Sequence, residues 1–104
     1  MVDYIITRHP ATVSMVVKKM KIDKPVVIPH LTGDHLREMK MGDRVYGVLP
    51  IHLLYKVLMT GAHYYAIVLP DVPHERRGEE LTEGELKKYG FRLLKVDEIY
   101  LREV

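Results

Sequence analysis

The chain has 104 residues, of which 16 are Lys or Arg and 14 are Asp or Glu, so its formal net charge is only +2. This length is typical of one domain, and an apolar fraction of 47% argues against disorder, so we expect a single domain over residues 1–104. The small charge argues against a protein that coats DNA. It fits better with a small anionic ligand that is held by a few local cations.

The chain contains no cysteine, which excludes a disulfide framework and a thiolate zinc site. No apolar run approaches the roughly 18 residues that a membrane-spanning helix needs. Residues 1–6 lack the charged-then-apolar layout of a signal peptide. We therefore expect a cytoplasmic protein that does not act at a membrane.

Strands and helices alternate from the beginning of the chain. Residues 2–7 read as a buried strand, and Pro10 stands where a helix can start. After Pro10, apolar side chains recur at helical spacing at Val13, Val16, Val17 and Met20. Residues 25–31 read as a second strand. Because proline cannot donate to a strand ladder, Pro29 indicates that this strand lies at a sheet edge or that it ends there.

The middle of the chain repeats this pattern. We expect a turn at residues 32–34, a short helical turn at 35–39 and a third strand at 44–48. A second helix follows Pro50 and runs from about residue 51 to 60, with Gly61 as its left-handed cap. This helix is apolar on several faces, so either a partner subunit or the sheet and neighbouring helices must cover it.

The last third contains one more helix. Thr82 and Glu85 have the spacing of a capping box, and the helix that they open ends at Gly90. The remaining apolar runs predict strands at residues 63–69, 91–96 and 99–103. The last two of these are either separate strands or one bent strand. The alternation predicts an α/β domain with a mostly parallel or mixed central sheet and helices on its faces.

Two predicted strand ends carry polar groups and lead into helices. Thr7, Arg8 and His9 follow the first strand, and Pro50 and His52 follow the third. Ligands of open α/β sheets bind beyond the carboxyl ends of strands, and helix N-termini attract anions. Taken singly, Arg8 reads as a surface cation, His9 as a helix cap and His52 as a structural histidine. The repeated arrangement favours an anion site in which Arg8 binds phosphate.

Other candidate ligand-binding residues lie at the end of the second strand and in the loop at 70–78. His30 ends the second strand, and Arg77 and Gly78 belong either to a flap that closes over an anion or to a solvated charged loop. His30, Asp34 and His35 match no zinc spacing, so we expect no metal.

The sequence contains no P-loop, dinucleotide fingerprint or nucleophile elbow, and no set of acidic residues for two-metal chemistry. A phosphodiesterase built from these parts would need neither metal nor cofactor. RNA permits this, because its 2′-OH can attack the adjacent phosphate if the site aligns it, stabilises charge and assists proton transfer. Arg8 is suited to stabilising the developing negative charge, and a histidine is suited to assisting the proton transfer.

Four short motifs lie in order along nearly the whole chain: Ile6-Thr7-Arg8-His9-Pro10, Gly42-Asp43-x-Val45-x-Gly47-x-Leu49-Pro50-x-His52-Leu53, Gly61-Ala62-x-Tyr64 and Arg77-Gly78-x-Glu80-Leu81-Thr82-x-x-Glu85-Leu86. In this combination the chain resembles a small family of type III CRISPR loci, the member of the Csx series numbered sixteen. The resemblance implies a Rossmann-like or CARF-like layout.

The resemblance also implies a function. Such proteins are ring nucleases that destroy cyclic oligoadenylate, chiefly cyclic tetra-adenylate, and so switch off type III CRISPR signalling. Related ring nucleases are homodimers that cleave by 2′-OH attack without metal. On this basis Arg8, His9 and His52 are expected to be catalytic. The residues expected to bind the ligand are Thr7, His30, Pro50, Arg77 and Gly78.

One departure from the family pattern concerns the first motif. Where the family has R-H-P-G-A, this chain has Ala11 and Thr12 after Pro10, and losing the glycine is expected to narrow the space beside a phosphate. Two other functions therefore stay open. The chain can bind cyclic oligoadenylate as a sponge or sensor without cutting it, or act as an accessory subunit that contacts RNA or protein.

Overall fold

A computed structural model describes all 104 residues and contains one five-stranded sheet in the order β2–β1–β3–β4–β5. The strands are β1 (Asp3–Ile6), β2 (Pro25–Ile28), β3 (Arg44–Gly47), β4 (His63–Val68) and β5 (Arg92–Val96). The first four are parallel, and β5 pairs antiparallel with β4. The predicted α/β class with a mixed sheet is confirmed, and β2 is an edge strand, as Pro29 indicated.

The helices are α1 (Pro10–Met20), α2 (Gly33–Glu38), α3 (Ile51–Met59) and α4 (Glu83–Lys88), with one 3₁₀ turn at His74–Arg76. Helix α1 begins at Pro10 and α4 begins with the predicted capping box of Thr82 and Glu85. None of the helices is both long enough and apolar enough to cross a membrane.

Two predictions of secondary structure were wrong. Residues 32–34 were expected to turn, but Thr32 caps α2: its hydroxyl accepts from the His35 amide at 3.4 Å, and the His35 imidazole accepts from the Thr32 amide at 3.0 Å. Residues 99–103 form no strand. The sheet ends at β5, which pairs with Tyr64–Val68 of β4, and no residue after Val96 joins it.

Apolar side chains pack on both faces of the sheet, as expected for strands that are connected by crossover helices. One cluster packs α1 against the sheet and contains Ile5, Val16, Ile22, Tyr46 and Ile67. The other lies on the face of α3 and contains Tyr4, Ile6, Ile28, Met39, Val45, Val57, Ala62 and Tyr64. Neighbouring residues of β1 thus contribute to opposite clusters.

The sheet covers only one side of α3. Val57 is fully buried, whereas Ile51, Tyr55 and Met59 are exposed at a spacing of four residues. Such a spacing places the three side chains along one side of the helix. We call Ile51, Tyr55 and Met59 the α3 stripe. The sequence had left open whether the sheet or a partner covers this helix, and within one chain the stripe has no cover.

A buried polar cluster joins the amino ends of β1 and β3. The Asp3 carboxylate accepts from Arg44 Nε at 2.6 Å, from Arg44 Nη2 at 3.2 Å and from the Tyr46 hydroxyl at 3.1 Å. Burial, reinforced by the charge of Asp3, raises the pKa of Tyr46 well above its usual range. Tyr46 therefore stays protonated and donates to the carboxylate, and no buried side-chain polar atom is left unpaired.

Replacing Asp3 with alanine should strongly destabilise the fold, because it leaves Arg44 and the Tyr46 hydroxyl without their acceptor. Breaking a buried ion pair costs about 3–5 kcal/mol, and the partial exposure of Arg44 places this case at about 3 kcal/mol. The free energy of unfolding from denaturant titration measures it. Asp97→Ala is the control, since Asp97 forms only an exposed 3.7 Å pair with Lys95 and should cost less than about 1 kcal/mol. Equal losses in the two variants would contradict the assignment.

Candidate functional site

A cavity of about 740 Å³ lies beyond the carboxyl ends of the parallel strands. Its walls include residues 7–9 after β1, 29–31 after β2, 48–50 after β3 and 69–70 after β4. The chain leaves β1 towards β2 on one side and later places β3 on the other side, so β1 and β3 flank the point where the strand order reverses. Ligand sites of open α/β sheets lie at this point.

The connection from β4 to α4, residues 69–82, closes the cavity on one side. We call it the cover segment. Asp71 donates its amide to the carbonyl of Tyr89 at 3.1 Å, and Gly78 has a φ of 84°, a conformation that strains any residue with a side chain. The segment contributes both apolar and charged residues to the wall, among them Leu69, Val72, Arg76, Arg77, Glu79 and Leu81.

Arg76 and Arg77 are neighbours in sequence but differ in their partners. Arg76 donates to Glu79 Oε2 at 2.6 Å and forms a 2.6 Å ion pair with Glu85. Its carboxylate partners, Glu85 first, raise the pKa of Arg76. Arg77 has no carboxylate partner, and neither does Arg8 on the opposite wall. The positive charge that the cavity offers to a ligand therefore comes from Arg8 and Arg77.

His9 lies between β1 and α1, at the position that precedes the helix, but its side chain does not cap α1. Its amide donates to Thr7 Oγ1 at 3.2 Å, and its Nδ1 lies 2.6 Å from Glu80 Oε1 in the cover segment. His9 therefore occupies the N-cap position of α1, as the simpler interpretation has it, but its side chain is engaged elsewhere. The imidazole lines the cavity and is tied to the cover segment.

The two helices that start at the cavity wall have no side-chain cap at their N-termini. This holds for α1 after His9 and for α3 after Pro50, whereas α2 and α4 have complete capping boxes. The amides of Thr12 and Leu53 already donate to the carbonyls of His9 and Pro50, and Pro10 has no N–H. The N–H groups of Ala11, Ile51 and His52, with the positive end of each helix dipole, are what these termini can offer to an anion. The repeated strand-to-helix anion site stays a prediction.

Tyr64 fixes the loop between β3 and α3. Its hydroxyl donates to the carbonyl of Gly47 at 2.6 Å and accepts from the Leu49 amide at 3.2 Å. Burial raises the pKa of Tyr64 to about 12, so the donor proton stays in place at neutral pH. Leu49 and Pro50 are thereby held at the cavity wall.

The cavity brings together most of the residues that the sequence singled out, which are Thr7, Arg8, His9, His30, Pro50, Arg77 and Gly78. His52 is absent from the wall, because it lies on an exposed part of α3. Ala11 does not line the cavity either, so its methyl group does not narrow the space, contrary to expectation. The roles of these residues in binding and catalysis stay predictions.

Sequence reasoning missed Arg76 and Glu80. Glu80 belongs to the motif that begins at Arg77, and Arg76 directly precedes it, but only their contacts reveal that Arg76 supports the cover segment and that Glu80 holds His9. No group of three His, Cys, Asp or Glu side chains is arranged to hold a metal ion, and His35 is engaged in the cap of α2. The apolar part of the cavity wall consists of aliphatic side chains and proline, without Phe or Tyr.

The cover segment should loosen in acid because of Glu85. The pKa of Glu85 lies below its ordinary value of 4.5, because the carboxylate accepts from the Thr82 amide and pairs with Arg76. A lowered pKa contributes stability that is present above pH 4.5 and is lost as the pH falls through the folded-state value. Denaturant titrations at pH 6 and pH 3 should show a smaller acid loss for Glu85→Gln than for wild type. An equal loss would contradict this role.

Comparisons with known proteins place the chain in a family. Residues 4–99, almost the whole chain, match the family model described as "Putative CRISPR-associated protein (Cas_VVA1548)". No curated protein and no solved structure matches the chain. The match covers all four helices and, apart from Asp3 of β1, all five strands. The chain therefore belongs to the Cas_VVA1548 family of CRISPR-associated proteins.

Proposed function

We propose that the protein is a metal-independent ring nuclease whose substrate is cyclic oligoadenylate, with cyclic tetra-adenylate as the preferred ring. The observation that carries the proposal is the joint placement of Arg8, Arg77 and His9 in one cavity, next to two uncapped helix N-termini. Membership of a CRISPR-associated family supports a role in this signalling system. Cleavage of the ring would end the response that the messenger started.

The reaction needs no co-reactant. A ribose 2′-oxygen attacks the adjacent phosphorus, a new O2′–P bond forms, and the P–O5′ bond breaks. The 2′-OH proton moves to a base, and the departing 5′-oxygen takes a proton from the resulting acid or from water. The products carry a 2′,3′-cyclic phosphate and a 5′-OH, so bonds and protons balance. Alignment, charge stabilisation and proton transfer are the three contributions that a protein must supply.

The residues of the cavity suit these three contributions. Arg8 and Arg77 stand on different walls without carboxylate partners, so both guanidinium groups are available to phosphate oxygens. We assign to His9 the role of accepting the 2′-OH proton, because it contacts a carboxylate, which His30 does not. The remaining expected ligand contacts, Thr7, His30, Pro50 and Gly78, also line the cavity. His52 does not reach this cavity within one chain, so a catalytic part for it depends on a second chain.

A homodimer is part of the proposal. The cavity has the size of a site for one compact ligand, roughly 300–1,000 Å³, and a ring of four nucleotides exceeds what one such cavity encloses. The α3 stripe, together with the exposed Val48, lies next to the cavity wall formed by residues 48–50. Pairing two such stripes would cover the apolar side chains and bring two cavities near one symmetry axis, which suits a symmetric ring.

Binding without cleavage is the second candidate function. It is favoured by the absence of His52 from the cavity, which leaves a single chain without a second histidine on the α3 side to protonate the 5′-oxygen. A sponge or sensor would use the same arginines and helix N-termini. The cleavage experiment separates the two functions.

Purified protein incubated with labelled cyclic tetra-adenylate in EDTA should yield linear di-adenylate species with 2′,3′-cyclic phosphate ends. His9→Ala should lower the cleavage rate about 100-fold or more, since a positioned general base contributes about 10²–10⁴. Arg8→Ala and Arg77→Ala should weaken both binding and cleavage. Chromatography of the products and single-turnover rates measure these effects.

The matched control is Lys19→Ala, which removes an exposed positive charge of α1 outside the cavity and should leave the rate unchanged. A ring that stays intact but bound at stoichiometric excess of protein would favour the sponge or sensor. A ring that neither binds nor breaks would eliminate both candidates.

Replacing Tyr55 with glutamate should abolish the dimer, because a charge in the middle of the α3 stripe cannot be buried against a second stripe without a partner. Sedimentation equilibrium should then report a 12.1 kDa monomer for the variant and twice that mass for wild type. Leu94→Glu, at an exposed apolar position of β5, is the control and should stay dimeric. A monomeric wild type at micromolar concentration would rule out this interface.

A further inference from the structure

We infer that Glu80 is a positioning residue that holds His9 in the tautomer and orientation needed to accept a proton. The inference deepens the proposed function and rests on it. Glu80 Oε1 lies 2.6 Å from Nδ1 of His9, across 71 residues of sequence, and joins the cover segment to the loop between β1 and α1. Glu80 itself does not line the cavity, whereas His9 does, so the carboxylate acts through the imidazole.

The contact determines which nitrogen of His9 carries the proton. An ionised carboxylate can only accept hydrogen bonds, so Nδ1 must be the donor in this pair. Neutral His9 then keeps its lone pair on Nε2, the nitrogen that Glu80 leaves free. A carboxylate that fixes an imidazole in this way sets its tautomer and stabilises the imidazolium that forms when it takes a proton. The Thr7 hydroxyl fixes the backbone of His9 at the same time.

The pair is partly exposed, with 42% of the His9 side chain and 64% of the Glu80 side chain accessible, but the choice of partner distinguishes it from the other ion pairs of the surface. Two arginines of the cavity wall, Arg8 and Arg77, have no carboxylate, and a guanidinium offers a carboxylate two parallel hydrogen bonds. Glu80 contacts neither arginine and instead holds a histidine. Its neighbour Glu79 is already committed to Arg76. Arg8 and Arg77 thus stay available to the ligand, whereas Glu80 contacts His9, the proposed base.

The pair also makes the base dependent on the cover segment. Glu80 belongs to the cover segment, which Arg76 ties to α4 through its 2.6 Å ion pair with Glu85. The orientation of His9 thus depends on a residue of the cover segment.

Three variants test the inference. Glu80→Ala removes the acceptor, Glu80→Gln keeps an oxygen that can accept from Nδ1, and Glu75→Ala removes an exposed carboxylate of the same segment that has no ion pair. Long-range ¹H–¹⁵N NMR of the imidazoles, recorded without ligand at pH 8, reports the tautomer of His9. Single-turnover and steady-state cleavage of cyclic tetra-adenylate in EDTA separate kcat from KM.

We expect wild type, Glu80→Gln and Glu75→Ala to show His9 protonated at Nδ1, and Glu80→Ala to show a mixture with the Nε2-protonated form. We also expect kcat to fall about tenfold to hundredfold in Glu80→Ala, with KM nearly unchanged and most of the rate restored in Glu80→Gln. A merely structural contact would not produce this split or this rescue.

Two results would overturn the inference: a His9 tautomer that does not change in Glu80→Ala, or a kcat for that variant equal to wild type. Failure of the proposed function gives a different pattern. If wild type does not cleave the ring, the nuclease proposal fails, while the NMR spectra still decide whether Glu80 sets the tautomer of His9.

Discussion

The central position of β1, paired in parallel with β2 on one side and β3 on the other, is the constraint on which the rest of the structure depends. Parallel pairing requires a crossover between strands, so α1 and α2 must intervene and cover the sheet. It also brings the carboxyl ends of β1, β2, β3 and β4 to the same edge. Because α1, which follows β1, and α3, which follows β3, pack on opposite faces of the sheet, the loops that lead to them diverge, and the cavity is the space between them.

The distribution of charge explains how a chain with almost no net charge can present unpaired arginines to its cavity. The arginine of the cover segment that supports the fold, Arg76, is neutralised by two glutamates, whereas Arg8 and Arg77 are left without acidic partners. Glu80 is occupied by His9. The positive potential of the cavity therefore depends on which groups are paired rather than on the total charge of the molecule.

Local patterns predicted much of this architecture. The proline at position 10, the capping box of Thr82 and Glu85, and the apolar runs gave the order of the elements because each depends on neighbours in sequence. The start of α2 was missed because a histidine takes the place of glutamate in its capping box. The 2.6 Å contact of His9 with Glu80 joins residues 71 positions apart, and no local pattern contains that information. The exclusion of His52 likewise follows from the rotation of α3 about its axis, which the sequence leaves open when a helix is apolar on several faces.

The buried cluster of Asp3, Arg44 and Tyr46 lies at the amino ends of β1 and β3, and the cavity lies at the opposite ends of the same strands. Substitutions that tune ligand recognition thus fall in loops that this polar anchor does not touch. A fold divided in this way can exchange the residues around its cavity over evolutionary time while the anchor preserves strand register. Differences in specificity among homologous chains would then arise only at the carboxyl ends of the strands. The polar cluster at the amino ends would be shared among them and would change slowly.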